Sequence, residues 1–341
     1  MHFPSAPASQ SAALRSLLEI PRRCAIVTHY NPDGDAIGSS LGLAHVLRAA
    51  GHTADVVLPN APPSFLHWLP GVDACIGFHD KGAKAVQTIQ RCEVLFCLDF
   101  NRPDRVGGLE EVVRTATLKV LIDHHQEPDT FSDITFSDTS ASSTCQMVVD
   151  VLRSIGLDAA IGTDAATCFY TGLVTDSGSF RFSSTSPHTM RVAADMMERG
   201  VVITRVHESI LDDNSESRLK LLGFTLNERM EVLHDLGVAI ITLGSADLKR
   251  FDFQPGDTEG FVNYGLSIRG IRLAAFFMER TDMVKVSLRS KGTLPVDRLV
   301  KDHFNGGGHR NAAGGQTQEA LAAAVARFKA LLPTFMSAYP Q

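Results

Sequence analysis

Residues 28–38 read THYNPDGDAIG and continue directly from the apolar run CAIVT at 24–28. The run predicts a β-strand. AIGSSLGLAHVLRAAG at 36–51 predicts a helix, with Ile37, Leu41, Ala44 and Leu47 on its apolar face and Gly51 as its stop. A strand that turns straight into a helix opens a βαβ unit, and the pattern repeats. ADVVL (54–58), VLFCL (94–98) and LKVLI (118–122) are three more strand-like runs. SSTCQMVVDVLRSIG (142–156) predicts a second helix, with serines suited to capping and Gly156 at its end, and segments 165–174 and 188–200 are helical too. Such alternation predicts an α/β domain whose parallel sheet carries helices on both faces.

Further along, the pattern changes. Residues Thr204 to Leu233 read as mostly polar-faced helix joining two lobes. GVAIITLG (237–244), IRLAAFFME (271–279) and MVKVSLRS (283–290) predict strands, and PVDRLVKDHF (295–304) and EALAAAVARFKALL (319–332) predict helices. Together they form a smaller mixed-sheet α/β domain. The expected division is 1–195, a helical linker at 196–235, and 236–341, and 341 residues are enough to bury a core in each domain. With 44% hydrophobic and 21% charged residues, a disordered or fibrous chain is excluded.

No apolar run approaches the roughly 18 residues of a membrane span, and the first residues lack the basic and apolar regions of an export signal, so a cytoplasmic location is expected. The six cysteines form no C-x-x-C pair, and Cys24 and Cys97 sit inside apolar runs, so buried reduced thiols are expected. The net charge of −6 divides into −9 up to residue 219 and +3 beyond it. That balance argues against tracking long duplex DNA, which needs a broad basic face. It suits an acidic metal site facing a mildly basic anion clamp.

His29, Asp33 and Asp35 fall on the loop after the first strand, VLFCL runs into Asp99, and KVLI runs into Asp123, His124 and His125. Parallel strands deliver their carboxyl ends to one edge of the sheet, where open α/β sheets bind ligands. Asp176, in GLVTDSGSF, ends another apolar segment. Taken singly, each residue has an ordinary explanation: Asp33 or Asp35 as a helix cap, Asp99 as a turn former, the histidines as loop residues. Four carboxylates and three imidazoles at one edge instead call for a neutralising cation. Two divalent ions balance four carboxylates, and mixed carboxylate and imidazole donors without thiolate favour manganese, magnesium or a similar ion over structural zinc. A pair of such ions is suited to phosphoester hydrolysis.

NGGGHRNAAGG at 305–315 places Gly306, Gly307 and Gly308 beside His309 and Arg310. Backbone N–H groups of such a segment can cradle an anion, with the histidine and arginine as further donors; a flexible loop between two helices is the alternative.

Together, HYNPDGDAIG, the Asp99 strand end, the DHH triplet at 123–125 and Asp176 resemble, in order and spacing, the four successive motifs of the DHH phosphoesterase superfamily. GGGHRNAAG resembles the signature of the DHH-associated C-terminal domain, and the likeness runs from about residue 15 to 335. The resemblance implies that His29, Asp33 and Asp99 hold one ion, and that Asp35, Asp99, His124 and Asp176 hold the other, with Asp99 bridging. It implies that His125 touches the scissile phosphate and that Asp123 orients a histidine. It also implies that Gly306, Gly307, Gly308, His309 and Arg289 bind substrate in a cleft between the domains, so that His125, Asp99 and Arg289 make up the catalytic group. The implied cofactors are two divalent ions, manganese first, with magnesium or cobalt as alternatives.

Within that superfamily the compact two-lobe chain is most similar to the oligoribonucleases, or nanoRNases, that also dephosphorylate 3′-phosphoadenosine 5′-phosphate (pAp). The expected substrates are short single-stranded RNAs and nucleotides rather than long duplex DNA or a membrane surface; the sequence does not fix the oligomeric state, for which a homodimer is one candidate. Two other readings stay open. One is a phosphodiesterase for linear or cyclic dinucleotides such as pApA or c-di-AMP. The other is a non-catalytic nucleotide-binding regulator, whose mark would be a substituted ligand; none of the named positions is substituted.

Overall fold

A computed structural model describes residues 6–339. The chain divides into two compact units that meet between Asp213 and Asn214. In the first unit, β1 (Arg23–Thr28), β2 (Thr53–Leu58), β3 (Ile76–Gly77), β4 (Val94–Leu98), β5 (Lys119–Asp123) and β6 (Ile134–Ser137) form an all-parallel sheet in the order β3-β2-β1-β4-β5-β6. Its helices are α1 (Ala8–Leu17), α2 (Gly34–Ala49), α3 (Phe78–Arg91), α4 (Glu110–Thr115), α5 (Thr144–Ile155), α6 (Thr163–Asp176), α7 (Pro187–Glu198) and α8 (Ile203–His207).

Strand side chains alternate between two cores. Ile26, Val56, Phe96 and Ile122 pack with residues of α2, α5 and α6, whereas Val27, Val57, Leu95, Cys97 and Leu121 pack with residues of α3 and α4. Each such burial contributes roughly 1.5–3 kcal/mol for a side chain of this size, which fixes which face every residue takes. Both faces are therefore covered, as parallel sheets require. Strand order reverses between β1 and β4, so a crevice opens at their carboxyl ends. The residues that follow those ends are His29 and Asp99.

The second unit carries β7 (Met230–Leu233), β8 (Val238–Leu243), β9 (Leu273–Glu279), β10 (Val284–Ser290), β11 (Gly307–His309) and β12 (Ala312–Thr317) in the order β11-β12-β10-β9-β8-β7. Among the described residues β8 and β9 pair in parallel and the other neighbours antiparallel, so the sheet is mixed. Its helices are α9 (Glu216–Glu228), α10 (Ser245–Arg250), α11 (Phe261–Ser267), α12 (Val296–His303) and α13 (Leu321–Ala338). Val286, Leu288, Ala275 and Phe277 pack with α12 and α13, while Phe276, Met278 and Ile241 pack with α9, α10 and α11.

Several expectations change. The segment 196–235 is not a separate linker, because Val201 and Val206 join the core of the first unit and Leu221 and Met230 join that of the second. Nor is it continuous helix, since a π-helical turn at Glu208–Asp212 and β7 interrupt it. The glycine motif is not a loop between helices; it forms β11 and β12, held by pairing to β10. α13 is 18 residues long and apolar enough, by length and composition, to cross a membrane, which the sequence reading did not anticipate. Its Ala324, Phe328, Leu332 and Met336 are buried in the second unit's core.

Candidate active site

The loop after β1 delivers His29. Its Nδ1–H donates to the Tyr30 carbonyl oxygen at 3.0 Å, which leaves Nε2 as the ligand atom. Asp33 caps α2, its Oδ1 accepting the N–H groups of Asp35 and Ala36 at 3.0 and 3.1 Å. The ordinary capping reading of Asp33 is thus correct, and it coexists with a place in the cluster: the same oxygen lies 4.0 Å from His29 Nε2. Asp99 follows β4 with φ +65°, a left-handed conformation that aspartate tolerates better than most residues. Its Oδ2 lies 3.5 Å from His29 Nε2 and its Oδ1 3.6 Å from His124 Nε2, so the carboxylate stands between the two rings.

His124 is held like His29, by a hydrogen bond from Nδ1–H to the Ala141 carbonyl at 3.2 Å. Its Nε2 sits 3.4 Å from Asp176 Oδ2 and 3.8 Å from Asp35 Oδ2. Asp176 is the last residue of α6. A carboxylate there opposes the negative end of the helix dipole, a placement that a local cation would relieve.

His29, Asp33 and Asp99 form one group of donor atoms lying within 4.8 Å of one another, and Asp35, His124 and Asp176 form another. Asp99 touches both groups, the second through His124. His125 donates from Nδ1–H to Asp123 Oδ1 at 2.7 Å, and its backbone N–H donates to Asp123 Oδ2 at 3.2 Å. Asp123 therefore aims the His125 ring.

Electrostatics show what the cluster lacks. Burial opposes the charged form of His29, but the hydrogen bond to Asp99 and the charges of Asp33 and Asp99 outweigh it and raise the pKa to about 9. Burial likewise disfavours the Asp99 anion, yet the His29 hydrogen bond and the charges of His125, His29 and His124 hold its carboxyl well below the usual range. Against burial, Asp99, Asp35 and Asp123 raise the pKa of His124. Asp35 goes the opposite way from Asp99: burial, then the nearby Asp99 and Asp176 charges, push it well above the usual carboxylate range. Protons thus stand in for missing positive charge. Asp35 and Asp99 are 1% and 2% exposed, and neither pairs with lysine or arginine among the described residues. Nitrogen and oxygen donors only, two imidazoles fixed with Nε2 inward, and buried carboxylates crowded around them fit two divalent ions.

Sequence reasoning missed part of the support. Thr144 N–H and Cys145 N–H, at the start of α5, donate to Asp35 at 2.6 and 2.9 Å, and Thr144 Oγ1–H donates to Asp99 at 2.8 Å. The start of α5 thus grips Asp35, with Ser143 as its N-cap, as the capping reading of these serines expects. Arg181, five residues after Asp176, donates from Nε to the Gly178 carbonyl at 2.8 Å.

The remaining expected residues lie in the second unit. Strand register places Arg289, Ala312 and His309 in one row across β10, β12 and β11. Two of the three expected cradle glycines have an internal reason to be glycine: a Cβ on Gly306 would sit 2.0 Å from the Gly314 carbonyl oxygen, and one on Gly308, at φ +139°, would sit 2.6 Å from that of Ala312. Gly307 alone of the three has open space where a side chain would be.

Residues 23–173 match the model of the DHH family, N-terminal domain, and residues 236–335 match that of the DHHA1 domain. The chain is 33% identical over 289 residues to the bifunctional oligoribonuclease and PAP phosphatase NrnA of Thermus thermophilus, covering 85% of this chain and 82% of that one. It is 25% identical to the cyclic-di-AMP phosphodiesterase PdeA of Listeria monocytogenes, over 91% of this chain and 47% of that one. Among solved structures, an exopolyphosphatase-related protein from Bacteroides fragilis superposes with a TM-score of 0.93 at 36% identity, covering 97% of each chain.

Proposed function

Because the chain belongs to the DHH family, with a DHHA1 domain after its DHH domain, we propose that it hydrolyses short RNA oligonucleotides to mononucleotides and removes a phosphate from pAp. It is a hydrolase of phosphoester bonds. The observation that carries the substrate reading is the pair of donor groups, His29/Asp33/Asp99 and Asp35/His124/Asp176, joined through Asp99 in a chain similar over 85% of its length to an oligoribonuclease and PAP phosphatase.

These six residues would hold two divalent ions, manganese in the first place, which would supply Lewis acidity and lower the pKa of water. The protein's own residues do the rest. Thr144 and Cys145 orient Asp35, and Thr144 with the flanking imidazoles keeps Asp99 ionised and fixed. Asp123 holds His125 so that its Nε2 contacts a phosphoryl oxygen of the substrate. From the second unit, Arg289, Gly307 and His309 are the residues that the family resemblance assigns to the substrate anion, whose charge grows as water attacks phosphorus in line with the departing ribose oxygen. The bond broken is P–O to the ribose, whose oxygen leaves with a proton. A short oligonucleotide asks for few phosphate contacts, in keeping with the +3 charge beyond residue 219.

A second reading, hydrolysis of cyclic or linear dinucleotides, is supported by the similarity to PdeA. A panel of pAp, pApA, c-di-AMP and RNAs of two to five nucleotides, each assayed with Mn²⁺ and with Mg²⁺, tests both. Turnover of short RNA and pAp is expected. Turnover of c-di-AMP and pApA with pAp untouched would replace the first reading by the second, and binding of all four without turnover would leave a regulator.

A further inference from the structure

Tyr30 sits between the ligand His29 and Asn31, and it is 53% exposed, unusual for a large aromatic ring. Its backbone is pinned on both sides. Its N–H donates to the Arg105 carbonyl at 2.7 Å, its carbonyl receives the His29 Nδ1–H, and the next N–H, of Asn31, donates to Asn60 Oδ1 at 2.6 Å.

The ring is braced as well. It rests on the backbone of Gly107, where an added Cβ would lie 3.2 Å from Tyr30 Cδ2 and 3.6 Å from Cγ, and Gly107 itself has φ +57°. Gly107 belongs to the turn Pro103–Leu109 that follows Asp99, so the ring lies at the carboxyl edge of β1 and β4, beside the donor cluster. One side of the ring is supported by protein and much of the rest faces water.

A surface tyrosine that only covered a turn would need no such bracing. An aromatic plane already fixed in place loses little conformational freedom when a second plane stacks on it. Stacking of a nucleobase on such a ring is worth about 1–3 kcal/mol and tolerates any base. A nucleotide with its phosphate at the cluster carries its base several ångströms away, within reach of a residue adjacent to a ligand.

We propose that the Tyr30 ring is the stacking platform for the nucleobase next to the scissile phosphate, and so selects nucleotides over phosphoesters that lack a base. This rests on the nucleotide reading of the site.

The test compares wild type, Tyr30→Ala and Tyr30→Phe on pApA and on an analogue in which hydrogen replaces both bases, with metal content measured alongside. For Tyr30→Ala, KM for pApA should rise tenfold to a hundredfold with kcat within about threefold, while KM for the base-free analogue stays at the wild-type value. Tyr30→Phe should match wild type, since the ring and not the hydroxyl stacks. Metal content should be unchanged, because the carbonyl that holds His29 remains. An unaltered KM for pApA in Tyr30→Ala overturns the inference. So does an equal loss on both compounds or a loss of metal, either of which makes Tyr30 a support for His29. A wild type that turns over neither compound removes the nucleotide reading itself.

Discussion

Replacing Asp99 by asparagine keeps the shape of the side chain and a residue type that accepts φ +65°, but removes one negative charge from between His29 and His124. At an effective dielectric constant of about 20, unit charges at the 3.5 Å separation of Asp99 Oδ2 and His29 Nε2 attract by about 5 kcal/mol. The rise of His29 from 6.5 to about 9 expresses what the attraction of Asp99 and Asp33 leaves after burial, about 3 kcal/mol. In the metal-free variant the His29 pKa should therefore fall well below about 9, because burial persists and only Asp33 remains as a charged partner from that pair. In the loaded enzyme the lost bridge should lower kcat/KM for pApA by a factor of about a thousand or more, equivalent to at least about 4 kcal/mol. Histidine titration followed by NMR and steady-state kinetics read the two effects, with metal analysis alongside and circular dichroism confirming the fold. Turnover within tenfold of wild type in a folded variant, or a His29 titration left near pH 9, would refute the reasoning.

Arg289→Ala should raise KM and lower kcat for oligonucleotides, and unchanged steady-state constants would remove Arg289 from the site. Gly172→Ala places a Cβ 2.3 Å from Cys145 Sγ and 2.9 Å from Asp35 Oδ1; thermal melts should show a loss of about 1–3 kcal/mol and metal titration a weaker site, whereas an unchanged Tm would show that α2, α5 and α6 can move apart. Metal-free protein should lose stability as pH rises. His29 is raised in the folded state, so its contribution is complete below about pH 6.5 and disappears through about pH 9, visible as a falling Tm. By the same linkage, metal loading at pH 7 should release protons, detected as buffer-dependent heat in calorimetry, and a heat independent of buffer would contradict it.

Legibility from sequence followed the physical origin of each feature. β1, β2, β4 and β5 and the central strands of the second sheet are apolar runs whose burial is written in their own residues. β6, β7, β11 and β12 are short, polar or glycine-rich, and they exist because a neighbouring strand pairs with them. The metal-binding candidates were legible because strand ends map sequence order onto one edge. The amides of Thr144 and Cys145 on Asp35 were not, since that contact joins positions about 110 residues apart and uses backbone groups that any sequence possesses. Asp176 was legible as the acid closing an apolar segment, and the helical reading of 165–174 agrees with its place at the end of α6.

The most direct measurement is anomalous diffraction from crystals of the protein grown with Mn²⁺. Two peaks should appear, one ligated by His29 and Asp33 and the other by Asp35, His124 and Asp176, with Asp99 contacting both. A single peak, or manganese bound away from these six side chains, would contradict the account.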